Sequence, residues 1–248
     1  MRILSIDSSL GTQVAVVDAA PSAAGARALQ VLSQDEQADT RRHAESLGQM
    51  LSQALSAPEV AERPLDAVVA ATGPAPFTGL RAGLVTAGVI GRTRGVPVHG
   101  VSSLDAVARL ALDGLGAPEG RKEPVVLVAT DARRREVYAA LFRANGPDDV
   151  TRLTEISVCP PAQVAEQTLG QGGGVDTIDV VAGSGAALYP ELAEAASCHE
   201  ALAPVSGDAL TQVRIALARL ERGEELSTQP LYLRHADVQM PAARKRVR

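Results

Sequence analysis

Aromatic side chains are almost missing from this sequence. There is no tryptophan, and aromatics make up 2% of its 248 residues although 46% are hydrophobic. A core built from such a chain is aliphatic and alanine-rich. Cysteine is nearly as scarce: Cys159 and Cys198 stand alone, neither within a C-x-x-C pair. That excludes a disulfide framework and leaves two structural thiols in a reducing, cytoplasmic setting. Of the four histidines, His43, His99, His199 and His235, no two lie four residues apart on one helix, so no metal site is read from them. No apolar run approaches the roughly 18 residues of a membrane span. The opening residues, M-R-I-L-S-I-D-S-S, start as a strand, so no signal peptide is expected. A P-loop and a G-x-S-x-G nucleophile elbow are both missing.

Charge excludes a further class. The net charge is −5, from 24 Lys and Arg against 29 Asp and Glu. Four of the cations fall in the last five residues, Arg244-Lys245-Arg246-Val247-Arg248, so the body stands at −9. An acidic body carries no broad nucleic-acid footprint. The tail reads as a solvated end, with contact to RNA or an acidic partner as its alternative.

What is present centres on Ala70–Ser103. An apolar strand end at Val68–Ala71 meets Gly73-Pro74-Ala75-Pro76, which cannot continue it because neither proline donates a ladder hydrogen bond. A helix follows, with Thr78 as its expected cap, and carries Gly83, Gly88 and Gly91 inside an apolar run. Three interior glycines cost about 2.5–3 kcal/mol relative to alanine. Gly79, Gly83, Ala87 and Gly91 recur every four residues and form a smooth stripe that invites close approach by another backbone. The approaching surface is either the chain's own sheet or a partner helix, and the expectation leans toward a partner.

Along the chain, Ile3–Asp7 and Gln13–Asp18 flank the polar turn Ser8–Thr12 as a hairpin, and Leu29–Ser33 suits a third strand. Arg41–Ser56 has one apolar helical face and Thr40 as a candidate cap. A strand at Ala67–Ala71, the glycine-striped helix, a strand at Val96–Val101 and a helix from Ser102 or Ser103 to about Leu112 complete the first series. Asp113–Glu123 reads as a boundary. The pattern then restarts: strand Val125–Thr130, polar turn Asp131–Arg135, strand Glu136–Phe142, helix Pro161–Leu169, strand Ile178–Ala182, and Gly183-Ser184-Gly185 opening a short helix. Asp208–Arg222 is a last amphipathic helix, capped by Gly207 or Asp208. Aligning the two hairpins sets Asp7 against Asp131. The expected architecture is α/β: two duplicated ribonuclease H-like lobes with mixed sheets, the arrangement of actin, sugar kinases and Hsp70 ATPases. Residues 1–112 form the first lobe, 124–234 the second, and 235–248 a basic tail.

In that arrangement hairpin turns from both lobes cradle phosphates, making Asp7, Ser8, Gly183 and Gly185 candidate nucleotide contacts. An ordinary hairpin turn would read the same. Arg133-Arg134-Arg135 is a tight basic cluster in an exposed turn, either solvated or meeting phosphate or an acidic partner.

Six segments together resemble the TsaB (YeaZ) family, paralogues of the tRNA threonylcarbamoyltransferase TsaD. They are Ile6–Ser9, Arg42–Glu45, the run G-P-A-P-F-T-G-L-R-A-G-L from Gly73 to Leu84, Gly100–Leu104, Asp131–Tyr138 and Pro230–Arg234. Ala75 and Pro76 replace the Gly and Ser usual in the family. The catalytic paralogue carries two metal-binding histidines in V-N-H-x-E-G-H; here Ser103 and Val107 stand in their places. The resemblance implies a non-catalytic subunit, without cofactor or metal, that supports threonylcarbamoyl transfer to the adenosine 3′ of the anticodon in ANN-reading tRNAs. It implies pairing with a TsaD-like paralogue through the first lobe, self-association through the same surface, docking of a TsaE-like ATPase on the pair, and indirect contact with tRNA. His43, Leu47, Met50, Leu51, Phe77, Arg81, Gly83 and Val85 are the expected interface residues. An actin-fold ATPase or phosphotransferase, and a glycoprotease-like peptidase, are the alternatives.

Overall fold

A computed structural model describes residues 1–20, 27–38, 43–115, 123–171, 177–195, 201–202 and 208–233. The first lobe is built on β1 (Arg2–Asp7), β2 (Thr12–Ala19), β3 (Leu29–Gln37), α1 (His43–Ser56), α2 (Pro58–Ala61), β4 (Ala67–Ala71), α3 (Phe77–Arg94), β5 (Val98–Val101) and α4 (Ser103–Leu115). Its sheet runs β3-β2-β1-β4-β5, antiparallel through the first three strands and parallel through β1, β4 and β5. The second lobe adds β6 (Val126–Asp131), β7 (Val137–Asn145), β8 (Asp149–Arg152), β9 (Ser157–Cys159), α5 (Val164–Gln171), β10 (Val180–Ala182), α6 (Ser184–Leu188), β11 (Ala201–Leu202) and α7 (Ala209–Glu221). Its path, β8-β7-β6-β10-β11, repeats the first, with β9 also pairing β7. Asp7 and Asp131 each end the first strand of a lobe. This is the duplicated ribonuclease H-like fold with mixed sheets.

β1 and β4 are buried at every residue, so both faces of the first sheet are covered. On one face Leu4, Ile6, Val14 and Val68 pack with Leu47, Met50, Leu51 and Ala54 of α1 and with Ala87 of α3. On the other, Ile3, Val17 and Val69 meet Val213, Ala216 and Leu217 of α7, the last helix of the chain. Conversely, Leu104, Val107, Ala108 and Leu112 of α4 pack with Val126, Val128, Ala140 and Phe142 of the second sheet. Each half of the chain therefore closes its core with a helix from the other.

Charge fixes this exchange. Arg219 of α7 bridges Asp105 of α4 at 2.8 Å and Asp149 of β8 at 2.9 Å, and Arg222 also pairs with Asp149. Arg214 joins Asp113 at 2.6 Å and Asp148 at 2.9 Å. Arg109 donates to the carbonyls of Gly146 and Asp149. The Asp149 side chain is 1% exposed, so the loss of its charge would leave the largely buried Arg219 with Asp105 as its remaining ion-pair partner.

The small-residue stripe of α3 faces the chain's own sheet, against the expectation of a partner. Gly83 N–H donates to Ser8 Oγ at 3.1 Å, and Ser8 Oγ donates to the Gly79 carbonyl at 2.7 Å. A Cβ on Gly83 would collide with Ser8 Oγ, and one on Gly91 with Val98. Gly88, off the stripe, faces open space. α3 begins at Phe77 after Pro76, so Thr78 lies within its first turn and does not cap it. At the other end Gly95 closes the helix in the left-handed region, φ 67°, its N–H reaching the Gly91 carbonyl. Asp208 caps α7 as expected, accepting from Leu210 N at 2.6 Å. Thr40, Gly207, Cys198, His199 and the basic tail lie outside the described residues. No helix among the described residues is long and apolar enough to cross a membrane.

Two glycines of one helix should respond oppositely to alanine. Gly88→Ala is expected to raise stability by up to about 1 kcal/mol, and Gly83→Ala to lower it by about 1–3 kcal/mol, read from urea unfolding midpoints. Asp149→Asn should cost about 3 kcal/mol in the same assay.

Candidate functional site

The two Asp-ended strands bring their turns to one side of the molecule, where the lobes face each other. Ser9, the Pro74–Pro76 turn, Ser103, Asp131, Arg133 and Ser184 meet around a cavity of about 20 Å³. That volume suits one water molecule and falls far short of a nucleotide pocket, which runs to several hundred Å³. Pro74, Ala75 and Pro76 fill the gap from the first lobe.

The four nucleotide candidates gather near this cleft, and each is engaged in holding the fold. Asp7 is 3% exposed, its Oδ1 accepting from Ser9 N at 2.7 Å and its Oδ2 from Gln212 Nε2 at 2.6 Å. Burial pushes its carboxyl above the ordinary Asp value and nearby Asp208 adds to this, while the Ser9 and Gln212 hydrogen bonds oppose it. Ser8 points into the contact between β1 and α3 described above. Gly183 (φ 108°) and Gly185 lie close over Ala129, whose carbonyl would meet a Cβ at either position. Ser184 Oγ accepts from Asp131 N at 3.0 Å.

The positions that the resemblance assigns to metal ligands are on the page. Ser103 Oγ donates to the Pro74 carbonyl at 3.2 Å, and Val107, one helical turn on, is 1% exposed within the second lobe's core. A hydroxyl already bound to a carbonyl and an isopropyl group do not fit a metal ion. Among the described residues no three His, Cys, Asp or Glu side chains are placed to hold a metal ion together. His99 is on β5, half-buried, with its imidazole pushed toward the neutral form by desolvation.

The β6–β7 turn holds an unexpected backbone. Arg133, Arg134 and Arg135 all take left-handed φ, at 64°, 56° and 61°. Sterics make each such non-glycine residue cost of order 1–3 kcal/mol, and a turn of this shape ordinarily uses Gly, Asn or Asp. Asp131 organises it, Oδ1 accepting from Arg133 N at 2.8 Å and Oδ2 lying 3.2 Å from Arg133 Nη1. All three arginines are exposed.

A second concavity, about 440 Å³, opens on the outer surface between α1 and α3, lined by Leu47, Gly48, Arg81, Ala82, Val85 and Thr86. Val85 is 65% exposed and Val89 53%. Of the expected interface residues, Arg81 and Val85 are exposed and Phe77 is half-buried. Leu47, Met50 and Leu51 belong to the core, where the apolar face of α1 covers the sheet, although Leu47 also reaches the floor of the groove. Gly83 is likewise interior. The His43 side chain lies outside what is described. Sequence reasoning missed Tyr232 and Val89. Tyr232 packs against Phe77 at 5.1 Å between ring centroids, the rings tilted by 52°, and accepts from Arg81 Nε at 2.9 Å, with the Arg81 guanidinium over both rings. It arrives on a C-terminal strap that is tied to the first lobe through Gly100 N to Leu226 O and Leu231 N to Thr72 O.

Comparison with known proteins gives a consistent relationship. The profile of the family described as "TsaD: tRNA N6-adenosine threonylcarbamoyltransferase" matches residues 30–221. An uncharacterised protein of Mycobacterium leprae is 38% identical over 161 residues, covering 65% of this chain and 40% of that protein. An uncharacterised protein of Mycobacterium tuberculosis is 40% identical over 141 residues, covering 55% and 61%. The chain thus spans 40% to 61% of the length of these relatives. A tRNA N6-adenosine threonylcarbamoyltransferase of Rhizobium leguminosarum is 34% identical over 132 residues, covering 48% of this chain and 36% of that enzyme. The solved structure of YeaZ from Pseudomonas aeruginosa superposes with a TM-score of 0.70 over 94% of this chain and 99% of that one; at 23% identity this likeness concerns the fold.

Asp7 offers a direct check on its role. Rotating the Gln212 amide by half a turn would let its otherwise unpartnered Oε1 accept from an uncharged side chain at position 7. Asp7→Asn should therefore be at least as stable as the parent at pH 7. A carboxyl whose pKa is raised on folding binds its proton more tightly in the folded state, so its contribution to stability grows as pH falls from that raised value toward the ordinary one. Melting curves between pH 7 and pH 4 should show this acid-side gain in the parent and not in the Asn variant.

Proposed function

The chain belongs to the tRNA N6-adenosine threonylcarbamoyltransferase family, and on that premise we propose that it acts as a non-catalytic subunit of the transferase, binding and activating a TsaD-like catalytic paralogue. The observation that carries this reading is Ser103 bound to the Pro74 carbonyl and Val107 packed in the core, at the positions the resemblance gives to the catalytic metal ligands. The tight cleft beside them supports it, having little room for a nucleotide or a peptide. Chemistry is thereby left to the partner, and this chain contributes a surface.

That surface is the groove between α1 and α3, where Val85 and Val89 stand exposed above a shallow floor. A TsaD-like paralogue built on the same lobe topology would lay its own helices there, and a second copy of this chain would compete for the same place. A TsaE-like ATPase would dock on the resulting pair, and tRNA would be engaged by the assembly in the cytoplasm.

Reconstitution tests the reading. With TsaD-like and TsaE-like proteins, ATP and a substrate tRNA, threonylcarbamoyladenosine should form only when this chain is added, and the chain alone should neither modify tRNA nor turn over ATP. ATP turnover by the isolated chain that disappears in Asp7→Ala would instead favour a phosphotransferase. Val85→Glu should weaken co-purification with the paralogue at least tenfold while leaving the melting temperature within a few degrees, since that side chain is exposed.

A further inference from the structure

We propose that the Arg133-Arg134-Arg135 turn is an RNA-backbone contact, through which this chain touches the substrate tRNA directly. The inference rests on the family reading only for the identity of the polyanion.

Its starting point is a conflict between sequence and backbone. Three successive residues hold left-handed φ, and none of them is a residue that relieves the strain. Glycine or asparagine at these positions would give the same hairpin at lower energy. Side-chain chemistry is therefore what the turn retains at the expense of its backbone, and strained positions of this kind collect at functional sites. The strain also has a geometric product. The turn is closed by Ala132 N to Glu136 O at 2.9 Å and Glu136 N to Arg133 O at 3.1 Å, with Asp131 bracing Arg133 from behind. Three guanidinium-bearing side chains thus share one short tip, each exposed, with Arg133 held beside Asp131. A planar guanidinium matches phosphate oxygens two at a time.

The surroundings of the tip fit RNA better than an acidic protein. Arg133 shares the rim of the cleft with Pro74, Ala75 and Pro76. Phe77, which follows Pro76 in the chain, packs at a tilt against Tyr232, which is 42% exposed, and Arg81 lies over both rings. Arginines beside a partly exposed aromatic pair are a combination that single-stranded RNA loops use, with phosphates on the cations and a base against a ring. The remaining body is acidic, so binding is confined to this edge rather than spread over the molecule.

The experiment measures binding of an isolated tRNA anticodon stem-loop to the 248-residue chain by fluorescence anisotropy from about 25 to about 200 mM salt. In the triple variant Arg133→Asn, Arg134→Gly, Arg135→Asn the turn keeps residues suited to left-handed φ, so the melting temperature should hold or rise. Affinity for the stem-loop should fall at least tenfold, and the slope of log affinity against log salt should shrink by about two to three. The triple Arg→Lys variant should keep most of that slope. Val89→Glu, which addresses the groove two helical turns away from Arg81, should leave stem-loop binding unchanged, so failure of the pairing model and failure of this contact are read separately. Lack of stem-loop binding by the parent at 25 mM salt, or equal affinity and slope in the Asn-Gly-Asn variant, overturns the proposal. So does a variant that retains RNA affinity and loses a protein partner instead, the result expected of an acidic-protein contact.

Discussion

The exchange of α4 and α7 between the two lobes is the constraint from which the rest of this structure follows. Neither sheet is complete on its own: each has one face covered by helices that its own strand series supplies, and the other by a helix from the opposite half. The ion pairs of Arg214, Arg219 and Arg222 with Asp105, Asp113, Asp148 and Asp149 hold the two exchanged helices and the β7–β8 hairpin together. Buried pairs of this kind add little net stability relative to an apolar core, but removing one member exposes the full desolvation penalty of the other. They favour one relative placement of the lobes over all others.

A fixed placement shapes what the cleft can do. The space between the lobes is where the repeated hairpin turns predict a nucleotide. Here the Pro74–Pro76 turn occupies it, Ser103 is bonded into that turn, and the glycines near it serve close packing on β6. Asp7, Ser8 and Ser184, which might have met a phosphate, are hydrogen-bonded inside the protein. The features left over for recognition are on the outside: an apolar groove on one helical layer and an arginine-rich tip with a neighbouring aromatic pair.

Much of the architecture was legible in the amino-acid order. The repeated hairpin, with Asp7 and Asp131 at matching places, announced the duplication, and alternating strands and helices announced the mixed sheets. β8 and β9 escaped because Asp149–Arg152 and Ser157–Cys159 are short and carry no clear period-two pattern. The glycine stripe shows where sequence pattern stops. Spacing reveals that a helix face is smooth, but whether it meets a sheet or a partner depends on Ser8 and Val98, which are remote in the chain and reach it only in the fold. The same limit applies to Leu47, Met50 and Leu51, since a helix's apolar stripe looks alike whether it faces a core or a neighbour. The left-handed arginines had no local signal at all, because their φ values are imposed by hairpin closure and not by residue preference.

The strap that runs from α7 back across β5 has a consequence for the order in which the protein is made. A ribosome delivers β1 through β5 first, yet the face of that sheet stays open until α7 emerges more than a hundred residues later. Its edge beside Gly100 waits longer still, for Leu226. The second lobe needs only α4, already synthesised, so it can close before the first. Vectorial synthesis thus gives this chain an inverted assembly order, in which the earliest-made half is finished last and spends the interval with bare aliphatic surface that chaperones would recognise.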